Sequence, residues 1–216
     1  MADPVCEGDA CRLPSSTDKL PLVEDEHSEK TEAEQAYSDD DEQPLGLRSA
    51  QPTSDILTAL LRGGLLDYQG QPVPATSPLY ASNGRPRPLL GVYFTASWCP
   101  PCQQFSPVLL RFTQQHADDL QIILVSHDRD EDAAAEYLSN KLGWMTLPFD
   151  DVDRRRTLAR LFEVQMIPTL AIVDADTGKI VSTWGRSAIM KNPDGCLEEW
   201  RQGGTGVSWW QLIRPW

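Results

Sequence analysis

Basic residues are scarce in this chain of 216, where 19 Lys and Arg face 32 Asp and Glu for a net charge of −13. A nucleic-acid binder wants a basic face to neutralise phosphate, so the balance argues against that class. Long apolar runs are missing too. The longest, such as Ile122 to Val125 and Ala171 to Val173, are strand-sized, far below the roughly 20 residues a bilayer-crossing helix needs, and no membrane association is expected. The opening MADPVCEGDACRLPSS has neither a basic stretch nor an apolar one, the two marks of a secretory or transit leader. Five cysteines are an odd number in a chain without a visible export signal. A structural disulfide framework is therefore not expected, while a reducing, cytoplasmic location is, with nuclear entry left open. Any closely spaced cysteine pair then becomes a candidate for chemistry.

Charge is unevenly spread, because residues 1–50 hold 14 acidic and 4 basic side chains and so carry −10 of the total. Tyr37 is the first aromatic residue. Such a stretch buries too little apolar surface to offset its conformational entropy, and residues 1–54 are expected to form a disordered acidic tail. Cys6 and Cys11 then read as free, exposed thiols, with pairing in an oxidising moment as the alternative. Ser38 to Glu42 resembles an acidic kinase-site context, the plainer reading being a solvating tail.

From Asp55 the pattern becomes that of a folded domain, expected over 55–200. Asp55 can cap a short helix through Ile56, Leu57, Leu60 and Leu61, stopped by Gly63 and Gly64. Leu65 to Tyr68 and Pro72-Val73 flank Gln69-Gly70 as a small hairpin, and the proline-rich stretch from Ala75 to Pro88 reads as a loop. Leu89 to Thr95 is a near-continuous apolar run suited to a central strand. Phe105, Val108, Leu109 and Phe112 then mark a helix from about Pro100 to His116. A strand at Gln121 to Ser126, helices at Glu131 to Leu142 and Arg154 to Phe162, and strands at Leu170 to Val173 and Lys179 to Thr183 complete the series. Arg154, Arg155 and Arg156 read as the solvated start of their helix. The order is that of an α/β three-layer sandwich with a central mixed sheet. Residues 201–216 form a Trp-rich extension, either a helix packed on the sheet or a partner-docking tail.

Chemistry concentrates at Trp98-Cys99-Pro100-Pro101-Cys102, between a strand and a helix. A thiol at a helix N-terminus meets unpaired backbone N–H groups and the positive dipole end, which favour thiolate. Cys99 is the expected nucleophile. Cys102, one turn on, can attack a mixed disulfide on Cys99, and the prolines stiffen the loop between the sulfurs. A reduction potential on the order of −200 to −270 mV follows. The competing reading is a structural zinc site. It lacks ligands, since no second Cys pair stands in the folded part and His27, His116 and His127 have no HxxxH spacing, so no metal is expected. Ile167-Pro168-Thr169, just before a strand, adds an expected cis Ile167–Pro168 bond facing the disulfide, which would expose the Ile167 backbone to an extended thiol substrate.

The run Tyr93 to Cys102, with Val125-Ser126-His127-Asp128, Leu147-Pro148-Phe149-Asp150, Ile167-Pro168-Thr169-Leu170, Asp174 to Gly178 and Asn192-Pro193-Asp194-Gly195, resembles the tryparedoxin and nucleoredoxin family of the thioredoxin superfamily. The resemblance spans about Leu65 to Trp200. It implies a thioredoxin-like fold and a monomeric carrier, with no cofactor beyond the Cys99–Cys102 disulfide. Such a carrier passes electrons from a low-molecular-weight dithiol, trypanothione or a glutathione-like donor, to peroxiredoxins and other disulfide proteins. It also implies substrate contacts at Trp98, Pro101, Ile167 and Pro168, a donor contact at Arg186, and a proton acceptor at Asp128. Two positions depart from the tryparedoxin pattern. Gln165 stands where a donor-pairing glutamate is usual, and His127 replaces a tryptophan. A nucleoredoxin-like regulator, whose partner binding is gated by the redox state of Cys99 and Cys102, is the alternative.

Overall fold

The computed structural model describes residues 6–8, 10–13 and 55–207. The expectations for residues 14–54 and for the Trp-rich end beyond Val207 lie outside the described residues. No helix among the described residues is long and apolar enough to cross a membrane.

Short strands β1 (Cys6–Glu7) and β2 (Ala10–Arg12) come first, then helix α1 (Asp55–Leu61), β3 (Leu65–Asp67) and β4 (Pro72–Val73). The central part runs β5 (Leu89–Thr95), α2 (Pro100–Gln115), β6 (Leu120–Ser126), α3 (Glu131–Ser139), β7 (Met145–Thr146) and α4 (Val152–Leu161). Strands β8 (Met166–Ile167), β9 (Thr169–Asp174) and β10 (Ile180–Ser182) follow, then helices α5 (Gly185–Lys191) and α6 (Cys196–Arg201). The main sheet has seven strands in the order β10-β9-β5-β6-β7-β3-β4. It is mixed, with β5, β6 and β7 parallel and β9, β10 and β3 antiparallel to their neighbours.

Side-chain alternation along β5 builds the three layers. Leu90, Val92 and Phe94 face Leu57 and Leu60 of α1 and Leu158 of α4. Leu89 and Tyr93 face Phe105, Leu109 and Phe112 of α2, with Leu138 of α3 and Trp200 of α6 in the same cluster. Val108, expected in the α2 stripe, is instead 39% exposed, because it stands about 100° round the helix from Leu109, at the edge of the face that Phe105, Leu109 and Phe112 bury. Gly91 leaves no room for a side chain: a Cβ there would lie 2.5 Å from Ile122 Cδ1 and 3.3 Å from Leu170 Cδ1.

Two readings of the N-terminal and basic residues are corrected. Cys6–Glu7 and Ala10–Arg12, assigned to the tail, pair as the antiparallel strands β1 and β2, and β2 pairs onward with β8, so Cys11 is fully buried. Pairing with a sheet edge supplies the order that composition denies. Arg154 is likewise buried rather than solvated: its guanidinium donates to the carbonyls of Arg62 and Gly64 (2.9 Å for the latter) and pairs with Asp151 at 2.9 Å. It ties the end of α1 to α4, satisfying carbonyls that the Gly63-Gly64 stop leaves open. α3 ends at Ser139, three residues short of the expected Leu142. β7, β8, α5 and α6 are elements that periodicity did not reveal.

Candidate active site

Cys99 is the N-cap of α2, at φ −93° and ψ 107°, and its Sγ accepts from the Cys102 backbone N–H at 3.3 Å. Pro100 and Pro101 occupy the first turn, where no intrahelical partner for an N–H exists. Cys99 and Cys102 are joined in a disulfide, with Cα atoms 5.2 Å apart, and both are fully buried. Pro101, expected to touch substrate, is buried, and Pro100 is the exposed ring of the pair.

The loop entering this helix is held from below. Asp128 Oδ1 accepts from the Ser97 N–H and hydroxyl, both at 2.7 Å, while Oδ2 accepts from the Ser126 hydroxyl at 2.8 Å. Trp98 Nε1 donates to the His127 carbonyl at 3.1 Å, fixing the indole beside Cys99. The His127 ring packs on Phe94, and its buried Nε2 has no hydrogen-bond partner among the described residues. Burial, aided by the Arg155 charge, pushes its pKa down to about 4, so the imidazole is neutral at pH 7. Behind Cys102, the Tyr93 hydroxyl lies 3.4 Å from the Cys102 carbonyl oxygen and 3.1 Å from Ser106 Oγ, which in turn meets Tyr137 at 2.6 Å. Burial drives the Tyr93 phenol pKa upward and keeps it protonated.

Opposite the disulfide, the Ile167–Pro168 bond is cis, as expected. The Ile167 carbonyl oxygen lies 3.9 Å from Cys99 Sγ, and Thr169 Oγ1 closes the turn by donating to the Met166 carbonyl at 2.7 Å. Gln165 is exposed, and its carbonyl accepts from Leu13 N–H at 3.3 Å. Arg186, half-buried on α5, sits 5.9 Å from the Phe105 ring centroid, one turn beyond Cys102. The structure thus brings Trp98, Ile167 and Pro168 to the disulfide and sets Arg186 on the α2 side.

Cys11, read from the sequence as a free thiol, is at the site as well. It is disulfide-bonded to Cys6, stands opposite Ile167, and belongs to the same buried cluster as Cys99 and Cys102. The signal was present, since Gly8-Asp9 between two cysteines is a two-residue hairpin turn composition, and Gly8 has φ +56°. Cys196 is the third cysteine outside the motif. It is a buried thiol whose pKa is pushed up to about 12 by desolvation.

A disulfide at a strand-to-helix turn against a cis-proline, on a mixed sheet between two helical layers, defines a thioredoxin-fold oxidoreductase. A family profile described as thioredoxin-like matches residues 88–180. Tryparedoxin from Trypanosoma brucei brucei is 40% identical over 111 residues, which is 50% of this chain and 76% of that protein. Nucleoredoxin from Danio rerio is 38% identical over 114 residues, 51% of this chain, so the match spans only 27% of that longer protein. A solved structure of tryparedoxin II complexed with glutathionylspermidine superposes with a TM-score of 0.54 at 32% identity, covering 61% of this chain and 88% of that one. The chain belongs to the tryparedoxin and nucleoredoxin family of thiol-disulfide oxidoreductases.

Proposed function

We propose that Cys99 and Cys102 cycle between dithiol and disulfide, taking electrons from a low-molecular-weight dithiol of the trypanothione class, or a glutathione-like donor, and passing them to peroxiredoxin-type and other disulfide proteins. The observation that carries this reading is the placement of Cys99 Sγ at the N-cap of α2, 3.9 Å from the Ile167 carbonyl oxygen beside cis-Pro168. In the reduced form, the Cys102 N–H and the α2 dipole stabilise a Cys99 thiolate. That thiolate attacks one client sulfur, and the other leaves as a thiolate. Cys102 then attacks Cys99 Sγ, the client's remaining sulfur departs, and the Cys99–Cys102 disulfide closes. A donor dithiol reverses the change by the same two steps. No cofactor other than this disulfide is invoked.

Trp98, Ile167 and Pro168 form the client-facing surface in this reading. We assign Arg186 and Gln165 to the donor side and Asp128 to positioning, because both of its oxygens hold Ser97 and Ser126. The cycle needs reducing surroundings, and we place the protein, as a monomer, in the cytoplasm with nuclear entry open.

Steady-state reduction by trypanothione, by glutathione, and by a thioredoxin reductase with NADPH tests the donor. Fast turnover with trypanothione supports the tryparedoxin-like role; reduction only by the reductase, or by none, moves the function toward a nucleoredoxin-like redox-gated regulator, which the likeness to nucleoredoxin favours. Cys99→Ser abolishes insulin-disulfide reduction and Cys102→Ser traps a mixed disulfide. Retained turnover in Cys99→Ser refutes the cycle.

A further inference from the structure

The ledge that a client would use is already taken by this chain's own β2. Cys11 pairs with Ile167 and Arg12 with Met166, antiparallel, and Leu13 N–H donates to the Gln165 carbonyl at 3.3 Å. Hydrogen-bonded pairs alternate along an antiparallel ladder, so with Leu13 and Gln165 one such pair, Cys11 and Ile167 are the next. An extended segment with a cysteine opposite the residue before the cis-proline is the form an oxidised protein client would present. Here that cysteine is itself oxidised, bonded to Cys6 directly across the hairpin. Cys11, Ile167 and Cys99 all have zero exposure, whereas Cys6 is exposed.

We propose that Cys6 and Cys11 form a second redox couple, docked on the cis-Pro168 ledge as a built-in substrate of Cys99 and Cys102. The proposal rests on the reading of Cys99 and Cys102 as a working dithiol. After an external dithiol has reduced that pair, the Cys99 thiolate attacks Cys11 Sγ. A Cys99–Cys11 bond forms, the Cys6–Cys11 bond breaks, and Cys6 leaves as a thiolate that water can solvate and protonate because it is exposed. Cys102, losing its proton to solvent, then attacks Cys99 Sγ and expels Cys11 as a thiolate, which takes up a proton. Two electrons have moved from the Cys99/Cys102 dithiol to the hairpin, and Cys99–Cys102 is again a disulfide. Attack at Cys11 rather than Cys6 follows from burial: Cys11 shares the cluster with Cys99, and the outer sulfur is the better-solvated leaving group.

The hairpin is thereby both relay and cover. Reduction removes its cross-link and loosens β2 from β8, which opens the Ile167 backbone to other disulfide proteins. The reverse exchange, in which the hairpin dithiol hands its two electrons back to an oxidised Cys99–Cys102 pair, re-forms the Cys6–Cys11 disulfide and closes it again. Access to the ledge would thus require two rounds of donor dithiol, one to reach the internal disulfide and one to serve a client.

The test uses the full chain. In Cys102→Ser, alkylation followed by fragmentation mass spectrometry is expected to find Cys99 joined to Cys11 with Cys6 alkylated, in a tenth or more of the molecules. An intact Cys6–Cys11 disulfide beside a fully alkylated Cys99 overturns the proposal. Should Cys102→Ser fold poorly, a second measurement decides: limiting dithiothreitol reduces Cys6–Cys11 at least tenfold more slowly in Cys99→Ser than in the natural chain, and equal rates overturn the relay. Insulin reduction by the natural chain, run in parallel, separates the two failures. Active insulin reduction with equal hairpin rates sinks this inference alone, whereas no insulin reduction sinks the functional reading beneath it.

Discussion

His127 ties the stability of the site to pH, and the size of the effect can be worked out from its surroundings. The imidazole is held neutral among Phe94, Arg155 and the Trp98 loop, with its pKa lowered from 6.5 to about 4. In the unfolded chain it titrates near its ordinary value, so between the two pKa values the unfolded state binds the extra proton. The contribution is therefore fully present above pH 6.5 and is lost as pH falls toward 4. Linkage gives a loss of about 2 kcal/mol at pH 5 and about 3 kcal/mol at pH 4, relative to pH 7. His127→Phe keeps a ring against Phe94 and removes the titration. Urea unfolding of both proteins at pH 7, 6, 5 and 4 should show the natural chain losing stability faster than the variant by those amounts. Parallel curves that differ by less than about 0.5 kcal/mol at pH 4 would refute the assignment of a neutral buried imidazole.

Three further substitutions probe other parts of the frame. Asp128→Ala leaves the Ser97 N–H and the Ser126 hydroxyl without their acceptor, at about 1–3 kcal/mol of stability, and should cut insulin reduction roughly tenfold, while Asp128→Asn keeps Oδ1 as acceptor and recovers most of both. Full activity in Asp128→Ala would exclude the positioning role. Arg154→Ala strips the carbonyls of Arg62 and Gly64 of their donor and unpairs Asp151, an expected loss of about 2–4 kcal/mol in urea unfolding, and a change within about 0.5 kcal/mol contradicts the clamp. Gly91→Ala places a methyl against Ile122 Cδ1 and should cost about 1–3 kcal/mol, part of it recovered when Ile122→Val removes that atom; strictly additive losses would contradict the contact.

Much of the frame was legible in the sequence because its signals are local. Leu89 to Thr95 and Leu120 to Ser126 are mostly apolar since both faces of the central strands are covered, and the Cys99 N-cap is marked by the prolines that follow it. The cis bond before Pro168 was readable only through its company with the cysteine motif. The elements without a local signal depend on distant partners. β7 and β8 are two residues long and exist only through pairing, β7 with β6 and β3 and β8 with β2, so no period announces them. Arg154 looked like one of three solvated arginines because its acceptors come from residues some 90 positions away. The acidic composition around Cys6 and Cys11 points to disorder, whereas their order is set by an edge that lies more than 150 residues later in the chain.

The order of the main sheet has a bearing on how other chains can attach. Its two outermost strands are poor templates: β4 is two residues long and begins with Pro72, which has no N–H to offer, and β10 has three residues and a register shift between Ile180 and Ser182. Short, proline-bearing and irregular borders discourage the side-by-side growth that leads to aggregation. Strand addition is consequently steered away from the rims of the molecule and toward the backbone of β8, where whatever pairs is delivered to a sulfur.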